Sequence, residues 1–336
     1  MLKILVIAPA WVGDVVMSQT LFKQLKSQYA ENCLIDVLVN DWAIDVVKRM
    51  PEVNLVHSNP FKHGELGLLK RLKLGWSLRK YKYTHAYVLP NSLKSALVPF
   101  FAAIPKRIGF IGEMRYGLLN QIYRLDTKAL PRMVERFCAL ANHGKAPRQI
   151  VNPSLASDKV NQAKVLANLG LTLGQPVVCL CPAAEYGPAK RWPAEHFASL
   201  ASQLQQQNYQ VWLLGSTKDQ LLAEMIVKHA ELKDSLHNLC GRTNLLEVVD
   251  LLACAQVVVS NDSGLMHIAC AVGVAVIAIY GSSSPNFTPP LTPKAKITQL
   301  TLKCSPCFAR TCKFGHYLCL QQITPAMILA QITASS

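Results

Sequence analysis

Between Val258 and Ile268 the chain reads V-V-S-N-D-S-G-L-M-H-I, an apolar strand that turns through Asn261, Asp262, Ser263 and Gly264 into a helix. Backbone N–H groups at such a helix start, together with the positive end of the helix dipole, can seat a phosphate at the strand's carboxyl edge. Taken alone, Asp262 and Ser263 read first as helix caps, a role in which either is worth about 1 kcal/mol, and it is the rest of the chain that favours the phosphate reading. His267 follows about one helical turn in. Beside a diphosphate its imidazole can donate a hydrogen bond; among Leu265, Met266, Ile268 and Ala269 it also suits a core position.

Other loops carry comparable residues. The segment Pro9 to Asp14 ends a first apolar strand and leads into a helical stretch from Val15 to Tyr29, which puts Asp14 at a strand-to-helix junction. There it is either a cap or a general base. In C-P-A-A-E-Y-G-P-A-K-R-W-P-A-E, Cys181 to Glu195, a loop after a strand bears Glu185 and ends in Lys190 and Arg191, which suit phosphate oxygens or plain solvation. G-S-T-K-D brings Ser216 and Asp219 to the same kind of edge, Asp219 facing ribose hydroxyls or capping a helix, and Gly241, Arg242 and Thr243 form a further polar loop. Several such loops on one sheet edge outline a nucleotide-diphosphate site.

The elements that must position these loops alternate. Apolar runs at Lys3–Pro9, Ile35–Asn40 and His85–Leu89 sit beside helical patterns, as parallel strands covered on both faces require. After a polar stretch near residues 143–157 the pattern restarts with Val177–Cys181, Val211–Leu214, Val257–Ser260 and Val274–Tyr280, with helices such as Ala194–Gln207 and Leu245–Ala253 between them. We therefore expect two α/β domains, 1–160 and 161–336, with a cleft between strand ends. A 51% hydrophobic, 16% charged composition is globular rather than disordered. The apolar start meets Gly13 and Asp14 too early for a signal peptide, and Pro99, His267 and Gly273 interrupt the longest apolar runs, so no membrane span is expected.

Charge is unevenly placed. Residues 1–150 hold 22 Lys and Arg against 10 Asp and Glu, whereas residues 151–336 hold 13 against 10, so the first half is expected to face an anionic partner, nucleic acid or an anionic lipid surface. Within it, residues 66–83 mix leucines and Trp76 with Lys and Arg, a pattern that suits a basic amphipathic helix on a membrane or an ordinary surface helix. Most of the 11 cysteines are scattered singly, as reduced core residues are. Cys304, Cys307, Cys312 and Cys319, with His316 between them, are candidate ligands of a structural zinc, with free thiols or a labile disulfide as alternatives. The chain contains no G-x-G-x-x-G, no Walker loop, no Asp-x-Asp pair and no H-E-x-x-H, which argues against nicotinamide-linked, ATP-hydrolysing and metal-dependent chemistry.

Six segments together resemble the ADP-heptose:lipopolysaccharide heptosyltransferases: W-V-G-D-V-V-M-S-Q from Trp11, L-P-N-S-L-K-S-A-L-V-P-F-F-A from Leu89, G-E-M-R-Y-G-L-L-N from Gly112, A-E-Y-G-P-A-K-R-W-P from Ala184, N-D-S-G-L-M-H from Asn261 and S-S-P-N-F-T-P-P-L from Ser283. The segments from Leu89 and Gly112 most resemble the branch that adds the second inner-core heptose. The resemblance implies the glycosyltransferase B fold, two Rossmann-like domains facing across a cleft, the first holding the lipid acceptor and the second ADP-heptose. It implies inverting transfer to the first heptose of the inner core, without a metal or other cofactor. Asp14 is then the base, Lys190 the diphosphate-binding lysine, and Asp262, Ser263, Gly264 and His267 the donor-binding turn and helix. Arg191, Glu185, Ser216, Asp219, Thr243 and Asn261 join them as donor-side candidates. Gly13, Asn91, Lys94, Lys106, Arg107, Arg115 and Arg136 are acceptor-side candidates from charge and position. The expected setting is the cytoplasm, peripheral on the inner membrane, with no nucleic-acid partner. The rival readings are a sister enzyme adding the first or third heptose, and a non-catalytic binder of anionic lipid or nucleic acid.

Overall fold

A computed structural model describes residues 1–62, 64–232 and 234–334. It divides into two compact units, Met1–Pro153 and Ser154–Ser336. The helix Lys159–Leu169 belongs to the second unit: Asp158 caps it by accepting from the N–H groups of Val160 and Asn161, and Asp250 accepts from Asp158 N (2.7 Å) and Asn161 Nδ2 (2.6 Å). A division at residue 160 would cut that helix, so the boundary lies several residues earlier than the sequence pattern suggests.

The first unit is built on β1 (Leu2–Ile7), β2 (Cys33–Asn40), β3 (Val53–Asn59), β4 (His85–Val88), β5 (Lys106–Phe110) and β6 (Gln121–Tyr123). They lie in the order β3-β2-β1-β4-β5-β6, and every pairing is parallel, with Ile4 opposite Ile35 on one side and His85 on the other. Helices cover both faces of such a sheet, which is why Ile4, Leu5, Val6 and Ile7 are all buried rather than alternately exposed. The order reverses between β1 and β4. Open α/β sheets bind ligands beyond the carboxyl ends of strands at such a point.

The second unit repeats this plan with β7 (Val177–Cys181), β8 (Gln210–Leu213), β9 (Leu236–Asn238), β10 (Val257–Asn261), β11 (Ala275–Tyr280) and β12 (Ala295–Gln299). Their order is β12-β11-β10-β7-β8-β9, again all parallel among the described residues, and it reverses between β7 and β10. Its core joins Val178, Leu180, Phe197, Leu213, Val259 and Ile277 with Ile328 and Ile332 from the last helix, Pro325–Thr333. The expected strands are present with ends shifted by one or two residues. The first helix begins at Val12 rather than Val15, which draws Asp14 into its first turn.

A polar knot holds the amino-terminal side of the first sheet. Asp36 on β2 accepts from Tyr83 Oη (2.6 Å), Asn54 Nδ2 (2.9 Å) and Leu55 N (3.1 Å), and His57 Nε2 lies 2.7 Å from the Tyr83 hydroxyl. Burial alone would raise the Asp36 pKa, but hydrogen bonds involving His57, Tyr83 and Asn54 hold it below the ordinary carboxylate value. A depressed pKa contributes stability above the unfolded-state value that is lost as pH falls through the folded-state one. Tyr83→Phe is therefore expected to lower the unfolding free energy by about 1–2 kcal/mol at neutral pH. In urea titrations this difference should shrink below about pH 4 as Asp36 protonates; an equal difference at both pH values would contradict the assignment.

Candidate active site

In the second unit the reversal point is fixed by side chains from neighbouring loops. β7 runs into a loop that ends at Arg191, and β10 runs into the turn Asn261–Gly264. Asn261 is fully buried: its Oδ1 accepts from Trp192 N (3.0 Å) and its Nδ2 donates to the Pro182 carbonyl (2.7 Å). It ties both ends of the first loop to the second and so braces the site.

Lys190 Nζ lies 2.6 Å from Asp262 Oδ2, with both side chains largely buried, and Thr288 Oγ1 lies 3.3 Å from Asp262 Oδ1. The Lys190 ammonium also sits 5.1 Å from the Tyr186 ring centroid. This places a fixed cation at the start of the helix Gly264–Val272, whose first N–H groups have no partner within the helix. Ser263, the N-cap, is half-buried in extended geometry and its hydroxyl does not cap; it lies 3.2 Å from Ser260 Oγ. His267 is buried one turn in. Burial, aided by Lys190 and opposed by Asp262, lowers its pKa to about 4, so the imidazole is neutral at neutral pH.

The remaining donor-side candidates are more peripheral. Arg191 is half-buried and donates to the Ala184 carbonyl, holding its own loop. Glu185 is exposed and paired with Lys218 at 2.7 Å. Ser216 and Asp219 form a capping box, with Ser216 N (2.8 Å) and Oγ (2.6 Å) both donating to Asp219 Oδ2. Of the two roles weighed for Asp219, the cap is therefore filled. Thr243 Oγ1 is buried without a hydrogen-bond partner among the described residues.

Sequence reasoning missed Thr288 and the serines after β11. Ser282 Oγ and Ser283 Oγ are buried beside this turn without a hydrogen-bond partner among the described residues. Ser283 and Thr288 fall in the segment S-S-P-N-F-T-P-P-L that carries part of the family resemblance, but the resemblance attaches no role to either, and Ser282 lies just before it. The cysteine segment braces the same place. Phe308 N donates to the Ser282 carbonyl (2.7 Å), Tyr186 Oη to the Phe308 carbonyl (2.7 Å) and Ala189 N to the Arg310 carbonyl (3.0 Å). Gly187 permits this approach, since a Cβ there would meet Arg310 O at 2.5 Å. Cys304, Cys307, Cys312 and Cys319 are free thiols, and Cys312 Sγ lies 4.0 Å from His316 Nδ1. The thiols lie near one another: after burial, those of Cys304, Cys307 and Cys312 are among the causes that raise the Cys319 pKa, though among the described residues no three such side chains are grouped closely enough to hold a metal. The segment also straps this loop.

In the first unit, Gly13 and the half-buried Asp14 lie in the first turn of the helix Val12–Tyr29, beyond the carboxyl end of β1, and exposed Asn91 follows β4. Arg115 is buried. Its guanidinium donates to the carbonyls of Phe110 (2.7 Å), Pro90 (2.5 Å) and Ser92 (3.3 Å), to Ser95 Oγ (3.2 Å) and to Asn91 Oδ1 (3.2 Å). Burial pushes its pKa down to about 10. Arg115 therefore shapes the Asn91 loop and is not presented to an acceptor. Lys106 and Arg107 open β5, opposite the first residues of β4, and so occupy the amino-terminal edge of the sheet, away from Asp14. Arg107 also donates to the carbonyls of Leu118 and Ile104. Arg136 and Asn91 line a cavity of about 60 Å³ with Leu89 and Phe110. Lys94 is half-buried in the first turn of Leu93–Phe101. Arg136 donates to the carbonyls of Leu130 (3.0 Å) and Pro131 (3.5 Å).

The profile described as glycosyltransferase family 9 (heptosyltransferase) matches residues 71–318. Over 342 residues the chain is 44% identical to lipopolysaccharide heptosyltransferase 2 of Escherichia coli K12, covering 99% of this chain and 98% of that protein. It is 47% identical to lipooligosaccharide heptosyltransferase 2 of Haemophilus influenzae Rd over 89% of each. The solved structure of E. coli ADP-heptose lps heptosyltransferase II superposes with a TM-score of 0.90 at 42% identity, covering 99% of this chain and 98% of that one. Two Rossmann-like α/β units of this topology make the fold the glycosyltransferase B type expected from sequence.

Two measurements check the electrostatics of the site. Lys190→Met leaves a buried carboxylate without its cation and is expected to cost about 3 kcal/mol in urea unfolding; a cost below about 1 kcal/mol would show that the pair is solvated. His267 has a folded-state pKa of about 4 against an ordinary 6.5, so the unfolded chain binds its proton first and stability falls as pH drops through that interval. His267→Gln should flatten the decline, and an unchanged slope would mean the imidazole is not buried neutral.

Proposed function

The chain belongs to glycosyltransferase family 9, the heptosyltransferases, and we propose that it transfers heptose from ADP-heptose to the first heptose of the lipopolysaccharide inner core, with inversion and without a metal. The observation that carries the donor half of this reading is the Lys190–Asp262 pair, which fixes a cation at the start of the helix Gly264–Val272. Departure of ADP places growing negative charge on the diphosphate. A preorganised ammonium and helix N–H groups stabilise that charge without rearranging. Neutral His267 can add a hydrogen bond, since as an imidazole it still carries one N–H donor.

The acceptor half rests on Asp14. Its place beyond β1, at the reversal point of the first sheet, is where an acceptor hydroxyl would be received. As that hydroxyl attacks the anomeric carbon, the carboxylate takes its proton, while the C–O bond to the diphosphate breaks through an oxocarbenium-like transition state. Asn91, Lys94 and Arg136 would orient the phosphorylated sugar, and the enzyme would act in the cytoplasm at the anionic face of the inner membrane.

The test is ADP release and heptose transfer to a lipid acceptor bearing one heptose, in the presence of EDTA, for wild type and Asp14→Asn. We expect wild-type transfer insensitive to EDTA, and a loss of roughly 100- to 10,000-fold in kcat for the variant. Transfer only to an acceptor lacking heptose would reassign the acceptor. Loss of activity in EDTA that is restored by a divalent cation would overturn the metal-free mechanism.

A further inference from the structure

The helix Leu68–Leu78 has two apolar faces. The inward one is satisfied: Leu78 is buried, Gly75 lies so close to the helix Leu93–Phe101 that a Cβ would meet Phe101 Cβ at 2.6 Å, and Arg71 donates to the Leu66 carbonyl and stacks over the Phe61 ring. At 3.6 residues per turn, Leu69 falls within roughly 30° and Trp76 within roughly 50° of the direction opposite this face, with Lys73 closer still, within roughly 15°. They are 73% and 63% exposed, and Leu68 and Leu72 beside them 50% and 37%. Lys73 occupies the outermost position, and the leucines and Trp76 form an exposed apolar stripe along one flank of it.

Cations border the stripe. Lys73 and Lys80 are exposed along one side, and the Arg79 guanidinium lies 4.1 Å from the Trp76 ring centroid. Lys82 follows, and the nearest acid in sequence, Glu65, is already paired with Lys70 at 2.7 Å. Phosphate-rich partners explain the lysines but not four exposed apolar side chains, whereas an acidic protein groove explains the leucines but not the wider basic excess of residues 1–150. An anionic bilayer takes both, the apolar stripe entering the acyl boundary and the lysines meeting headgroup phosphates. The geometry points to the outward face of Leu68–Leu78 as a membrane-docking surface for anionic lipid. This deepens the proposed reaction, whose acceptor is itself a lipid, by naming the surface that brings the enzyme to it.

Flotation of the full-length protein with vesicles containing phosphatidylglycerol, against vesicles of phosphatidylcholine alone, tests it directly. Wild type is expected to float with the former and to be released by high salt. Leu69→Ala with Trp76→Ala should weaken binding by roughly tenfold or more. Lys73→Gln should weaken it by about fivefold. Both variants should keep wild-type transfer to a delipidated, water-soluble acceptor. Failure of wild type to float, equal flotation of the variants, or binding to single-stranded RNA in place of vesicles would each overturn the docking surface. Flotation that depends on these residues, without any transfer, would sustain the surface and sink the reaction instead.

Discussion

The Lys190–Asp262 ion pair is the contact on which the second unit's site depends. It joins two loops that leave adjacent strands, β7 and β10, where the order of the sheet reverses, and it does so with both partners largely withdrawn from water. Burying either charge alone would be strongly unfavourable, so each residue holds the other in position. Thr288 and the Asn261 bracket limit where the pair can move, and the strap formed by residues 305–310 presses on the loop that carries Lys190. The result is a positive group whose position is set before any ligand arrives, which is the property electrostatic stabilisation of a leaving group requires.

The first unit uses a comparable device with a different residue. Arg115 is buried and distributes its N–H groups over the carbonyls of Phe110, Pro90 and Ser92, fixing the Asn91 loop beside the strand that precedes Asp14. Five donors in a planar fork suit this task, and a lysine could not replace them. Both units therefore follow one plan, in which parallel strands deliver loops to a reversal point and one buried cation locks them.

Much of this was legible in the sequence because continuous apolar strands and the loops between them leave strong local patterns. Val177–Cys181 and the turn Asn261–Gly264 were placed from pattern alone, and Asp14 needed only a shift of helix start from Val15 to Val12. What sequence could not show was which way a side chain is used. Arg107, Arg115 and Asn261 have residue types that bind ligands, and in the structure each hydrogen-bonds the protein's own backbone, as Arg136 also does. Lys106 failed for a different reason: strand direction puts it at the opposite edge from Asp14, which a charge count cannot register. The cysteines between 304 and 319 have ligand-like spacing, but that spacing gave no sign that their segment also hydrogen-bonds to Tyr186 and Ser282.

The central claim is that the cation fixed by Asp262 marks the diphosphate seat, and a crystal structure of the protein with ADP addresses it most directly. The account predicts a phosphate oxygen within hydrogen-bonding distance of Lys190 Nζ and of the N–H groups at the start of Gly264–Val272. A diphosphate bound elsewhere, with the Lys190–Asp262 pair untouched, would contradict it.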